Sequence, residues 1–255
     1  MKRRQILNLI ALIATVAVNG LANALPLNGQ TTGDVADQIP TLFTPAGYVF
    51  GIWSVIYLGL LAFAIYQALP RQRDRSFLDR IGYWFVISCL FNSAWIFLWH
   101  YELFVPTLIA MVGLLISLIA IYLRLDIGRR PVPRAVKWLV HVPFSIYLGW
   151  ISVATIANVS VALYTLGWGG WGIAPEAWTV LVLIVGAALG IAMILTRGEV
   201  AYPLVIAWAF IGVVVRRSDA PLIAITAGAA TGLMLIVLAA FRLLRRPRAS
   251  GTGAA

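Results

Sequence analysis

Charge is scarce in this sequence, at 11% of 255 residues, and negative charge is the scarcer half: nine Asp and Glu stand against 19 Lys and Arg. The nine acids are Asp34, Asp37, Asp74, Asp79, Glu102, Asp126, Glu176, Glu199 and Asp219, and each falls in a connector or at the end of an apolar run. Cysteine is nearly absent; the single Cys89 excludes an internal disulfide and lies in an apolar stretch where it packs. The two histidines, His100 and His141, have no partner at metal-ligand spacing, so no metal site is expected. No serine stands in a His and carboxylate arrangement, and no glycine-rich loop suits a phosphate. These absences leave no catalytic residue and no cofactor to expect, and they argue against an enzyme.

What is abundant is hydrocarbon. Hydrophobic residues make up 62% of the chain and mean hydropathy is +0.93. A water-soluble core cannot hide that much apolar surface, so lipid must be the solvent over most of the length. The expected fold is all-α, a polytopic transmembrane helix bundle. Windows near the roughly 20 residues needed to span a bilayer run at 6–25, 46–69, 81–99, 104–124, 139–165, 177–196, 200–215 and 221–243. The seventh is the weakest, being short and carrying Pro203.

The net charge of +10 is topogenic and does not point to nucleic acid. "MKRR", "PRQRDR", "RLDIGRRPVPRAVK", the "RG" at 197–198 and "RLLRRPR" all fall on one side of an eight-span chain, which places both termini in the cytoplasm. The opposite connectors "NGQTTGDVADQIP", "HYELFVP" and "GWGGWGIAPE" carry no Lys or Arg. "RRSDA" dissents, with Arg216 and Arg217 on the outer side. The N-terminus has a signal-peptide layout, but Asn19, Asn23 and the length of the run favour its retention as a first spanning helix. Residues 246–255 read as a disordered tail. Gly186/Gly190 and Gly228/Gly232 permit close helix approach, within the chain or in a homodimer.

Ten tryptophans are the remaining signal. Trp84, Trp99, Trp138, Trp168, Trp171 and Trp178 fall near span ends, where an aromatic belt explains them. Trp53, Trp95, Trp150 and Trp208 lie inside spans and need another reason. On the third span Ser88, Asn92, Trp95 and Trp99 follow at intervals of four, three and four, one helix face; on the fifth, Trp150, Ala154 and Asn158 do the same. A buried amide without a partner costs roughly 1–3 kcal/mol, so these stripes should face the bundle. Such a face either packs with interhelical hydrogen bonds or lines a pocket for a flat apolar ligand.

At these residues the sequence resembles the TspO/MBR family, the bacterial tryptophan-rich sensory proteins related to the mitochondrial translocator protein. Trp150, Ala154, Thr155 and Asn158 follow the family's fifth-helix pattern, and "FNSAW", with Asn92, Ala94 and Trp95, corresponds to its "LNWAW". "TPAGYVFGIWSVIY", with Pro45, Val49, Phe50, Trp53 and Tyr57, is similar to the family's "PPxWVFxPVWxxLY". The likeness covers about residues 6 to 166. It implies a five-helix unit over 1–166, to which 167–245 adds about three further transmembrane helices. There are departures. The first loop has no tryptophan, a proline is missing between Gly51 and Trp53, and Tyr164 lacks the following basic residue of the family's sterol pattern.

The resemblance implies a binding or sensory protein of the cell membrane with an intramembrane pocket for a planar hydrophobic ligand such as a porphyrin. Trp95 and Trp150 would stack on the ligand, Trp53 and Tyr57 would close a wall, Asn92 and Asn158 would supply hydrogen bonds, and Ala154 would leave room. A transporter of a small hydrophobic or tetrapyrrole substrate is the alternative. Light- or oxygen-dependent porphyrin breakdown, proposed for the family, ranks third because no acid–base pair accompanies the indoles.

Overall fold

A computed structural model of the chain describes residues 2–245, so the tail expected at 246–255 lies outside the described residues. All regular structure among them is helical: α1 (Arg3–Ala24), the short α2 (Thr32–Gln38), α3 (Gly47–Ala68), the short α4 (Ser76–Ile81), α5 (Trp84–His100), α6 (Phe104–Leu125), α7 (Arg134–Thr165), α8 (Pro175–Arg197), α9 (Ala201–Arg216) and α10 (Pro221–Leu244). Every window read from the sequence holds an apolar helix. Six are long and apolar enough to cross a membrane; α5 and α9, with 17 and 16 residues, are shorter apolar helices. The window at 81–99 overran its helix, because Gly82 at φ +58° breaks the chain between α4 and α5.

In lipid the sorting of side chains is inverted. On α1 the buried line is Gln5, Asn8, Leu12, Thr15, Asn19 and Ala22, alternating in steps of three and four, while Ile6, Ile10 and Ile13 face outward. Gln5 Nε2 donates to Gln67 O at 2.5 Å, Gln67 Nε2 to Gln5 O at 3.0 Å, and Asn8 Nδ2 to Gln67 Oε1 at 3.1 Å. Asn19 Nδ2 reaches Asn92 Oδ1 at 2.7 Å. Apolar contact adds little in a hydrocarbon solvent, so side-chain amides and close packing hold α1 to α3 and α5. The first apolar run is thus built into the bundle.

Elsewhere small residues set the approach. Phe91 of α5 lies against Gly113 of α6, Pro143 of α7 against Gly59 of α3, and Tyr202 and Val205 of α9 against Gly149 of α7. Gly186 and Gly190 of α8 receive Phe210 and Met234, so this pair works within the chain. Gly228 and Gly232 of α10 meet little; a Cβ added at Gly228 would find only Val214 within 4 Å, at 3.9 Å, and one at Gly232 would find nothing. A π-turn over Lys137–His141 precedes Pro143, whose ring cannot fit a regular ladder. Pro203 is harmless because it occupies the first turn of α9, where N–H groups have no intrahelical acceptor.

The bundle closes through α7, which packs on α3, α6 and α9, while α8, α9 and α10 pack on one another. The five helices expected over 1–166 and the three beyond therefore share interfaces along α7 and along the chain entering α3. There Ala46 N donates to Gly212 O at 3.1 Å, and Trp208 Nε1 to Val49 O at 3.2 Å. The dissenting arginines have local acceptors. Arg216 pairs with Asp37, and Arg217 donates to Thr41 O at 2.5 Å and Leu42 O at 3.1 Å. They fasten α9 to the first loop.

Candidate functional site

The two stripes do converge. Trp53, on the first turns of α3, sits at the hub. Its ring lies 5.6 Å from Tyr57 in a stack, 6.4 Å from Trp95 at 31°, and 6.1 Å from Trp150 edge-on. Trp95 in turn stacks on Trp99 at 5.2 Å, and Phe50 meets Trp150 edge-on at 5.9 Å. Between them is a cleft lined by Trp53, Trp95, Trp150, Ala154 and Asn158, with Trp99 beside them. Ala36 of α2, Thr44 and Pro45 of the connector and Phe50 at the start of α3 complete the lining.

Two of the seven residues read from the sequence stand behind the lining. Asn92 is fully buried; it accepts from Asn19 and donates to Tyr147 Oη at 2.8 Å, tying α1, α5 and α7 together. Tyr57 stacks on the Trp53 ring without lining the cleft, and its hydroxyl finds no partner among the described residues. Asn158 lines the cleft, yet its amide is spoken for: Trp95 Nε1 donates to its Oδ1 at 2.7 Å, and its Nδ2 donates to Thr107 Oγ1 at 2.6 Å. Of the two readings of the stripes, interhelical hydrogen bonding is thus realised at both amides.

The free volume of the cleft is about 40 Å³. That accommodates a water or two and falls well short of the ~300–1,000 Å³ of a small-molecule pocket. One polar group in the lining remains open. The Trp150 indole N–H is buried, the residue being 3% exposed, and it has no acceptor among the described residues.

Trp99 belongs to this site, which corrects its assignment to an interfacial belt. It is 5% exposed and donates through Nε1 to Thr32 O at 3.1 Å. The signal was available, since Trp99 continues the 88–92–95 stripe. His100 next to it binds the same loop, with Thr32 Oγ1 at 3.0 Å from Nε2 and Leu27 O at 3.2 Å from Nδ1. Trp168, Trp171 and Trp178 cluster together outside the site, Trp178 Nε1 donating to Gly170 O at 2.9 Å.

An apolar bundle of long helices around an inward aromatic face defines an integral membrane protein of the multi-pass helical class. Residues 5–240 match the model of the family described as TSPO-like protein, and the chain belongs to that family. The match runs through α8, α9 and most of α10, beyond the 6–166 of the motif likeness. No curated protein and no solved structure matches the chain.

Proposed function

We propose that the protein is a membrane binding or sensory protein whose aromatic cleft takes a flat hydrophobic ligand of the porphyrin type. The carrying observation is the Trp150 indole N–H, a buried donor without an acceptor among the described residues, on a side chain that lines the cleft with Trp53, Trp95, Ala154 and Asn158. An unmet buried donor costs about 1–3 kcal/mol, and a ligand nitrogen or oxygen would recover it while the rings of Trp53, Trp95 and Trp150 supply stacking surface. The closed cleft is too small for such a guest. Binding therefore includes displacement of its cover, the loop from Thr32 to Phe50, which meets the cleft through Phe50 and Pro45 and is held from outside by α9. In this reading the three basic connectors and both termini lie on the cytoplasmic side, and the protein binds without transforming its ligand.

Titration of tryptophan fluorescence with protoporphyrin IX tests the assignment. Saturable quenching in the native sequence should be lost when Trp95 and Trp150 are both replaced by Phe. Equal quenching in both proteins removes the cleft from consideration.

A further inference from the structure

A second hollow, far roomier than the aromatic cleft, lies elsewhere in the bundle. A groove of about 1150 Å³ lies between α3, α7 and α9 and runs to the connectors that precede α7 and α9 and to the end of α10. Its wall is apolar, with Ile52 and Val55 of α3, Ile146 of α7, and Leu204 and Trp208 of α9. Val55, Leu204 and Trp208 are 48%, 44% and 38% exposed, so the groove opens on the face that meets lipid. Its other end is basic: Arg130, Lys137, Arg197, Arg242 and Arg245 all line it.

We infer that this groove is a site for an anionic phospholipid, with acyl chain along the apolar wall and phosphate headgroup among the cations of the mouth. The charge does not cancel locally. Arg130 and Arg197 share the single carboxylate of Asp126, at 2.8 and 3.3 Å. Lys137, Arg242 and Arg245 form no ion pair among the described residues. The one acid on the lining is Glu199. Five cations against two carboxylates leave an excess of at least three. Burial moreover pushes the Glu199 carboxyl above its ordinary range, which favours its neutral form at the mouth. Trp138, 63% exposed beside Lys137, sits where an amphipathic indole meets the headgroup layer.

An apolar wall open to lipid and a mouth with excess positive charge discriminate on two counts. The wall demands a hydrocarbon chain, and the mouth favours a net negative headgroup over a zwitterionic one. Free phosphate satisfies the mouth alone.

Native mass spectrometry of the full chain in a mild detergent tests this, with phosphatidylglycerol and phosphatidylcholine offered at equal concentration. Preferential retention of phosphatidylglycerol is expected. A juxtamembrane cation contributes about 1 kcal/mol toward an anionic lipid, which is roughly fivefold. The R242Q/R245Q pair, both exposed and unpaired, should therefore cut the preference by more than tenfold, and K137Q alone by about fivefold. L204W, which fills the apolar wall, should lower retention of both lipids. Equal retention of the two by the native sequence overturns the proposal. So does an unchanged preference in both cation variants, or full displacement of the lipid by inorganic phosphate.

Discussion

The Trp95 indole N–H lies 2.7 Å from Asn158 Oδ1, and the same carboxamide donates to Thr107 Oγ1 at 2.6 Å, so one side chain joins α5, α6 and α7. Asn158→Ala strands the indole donor and leaves a void beside it. Interhelical hydrogen bonds in membranes are worth about 0.6 kcal/mol on average and up to about 1.7, less than in a water-solvated core, because the unfolded chain in lipid also finds partners. The packing loss adds to this. Asn158→Ala should cost about 1–2 kcal/mol, read as a lower midpoint of unfolding in detergent. A double-mutant cycle with Trp95→Phe should return a coupling of about 0.6–1.7 kcal/mol. Zero coupling means that the contact carries no energy.

The first loop is held by two arginines of unequal standing. Arg216 pairs with the half-exposed Asp37, a class of contact worth about 0–1 kcal/mol. Arg217 donates to two backbone carbonyls, Thr41 O and Leu42 O, whose replacement donors must come from water. Hydrogen exchange over residues 32–50 should rise more in Arg217→Gln than in Arg216→Gln. Porphyrin quenching should begin at lower ligand concentration in the same order if this loop covers the cleft. The reverse order in exchange shows that the ion pair is the stronger fastening.

How much of this was legible beforehand depends on the range of the interaction. The stripes on the third and fifth spans were readable because helix geometry fixes the relation of residues three and four apart. Their inward orientation followed from the cost of an unpaired amide in lipid. Trp99 was misplaced because position near a span end outweighed its place on that stripe. The polar line of α1 carries the same periodic signal, but Gln5 and Asn8 look like flanking residues until Gln67 is brought to them. The role of α9 was hidden altogether. Its contacts with the first loop join residues more than 150 positions apart, such as Trp208 with Val49 and Arg217 with Thr41, and no local pattern encodes them. For the same reason nothing local shows that Arg216 and Arg217 reach the first loop. The tightness of the cleft was illegible too, because spacing fixes direction and says nothing about how closely rings pack.

Gly212 tests the contact between α9 and the start of α3 from the side of shape. A Cβ there would overlap the Val49 side chain and come within 3.0 Å of Pro45 Cβ. Its backbone is helical, so alanine is intrinsically favourable at this position. Any destabilisation by Gly212→Ala therefore reports the clash. Overpacking costs about 1–3 kcal/mol against about 1 kcal/mol gained in propensity. A lower unfolding midpoint and a more solvent-exposed Trp208 emission are expected, because displacing Val49 breaks the bond from Trp208 Nε1. A raised midpoint with unchanged emission means that the loop yields freely and α9 does not clamp it.

Glu199 lies in the connector between α8 and α9, where burial raises its pKa above the ordinary 4.5 and its polar neighbours Ser145 and the Tyr202 backbone, with Lys137 and Arg242 beyond them, only partly oppose the shift. A raised folded-state value means that the native protein holds this proton more tightly than the unfolded chain does. The resulting stabilisation is complete below the ordinary value and is lost as pH rises through the folded one. Stability should accordingly fall from pH 4.5 toward neutrality through this group. Glu199→Gln, uncharged at every pH, should lack that component. The measurement is the difference in unfolding midpoint between native and variant protein across that range, which subtracts the other carboxylates. The difference should move in favour of the variant as pH increases. A pH-independent difference would show that the Glu199 carboxylate is already solvated as a charge at the mouth of the basic groove.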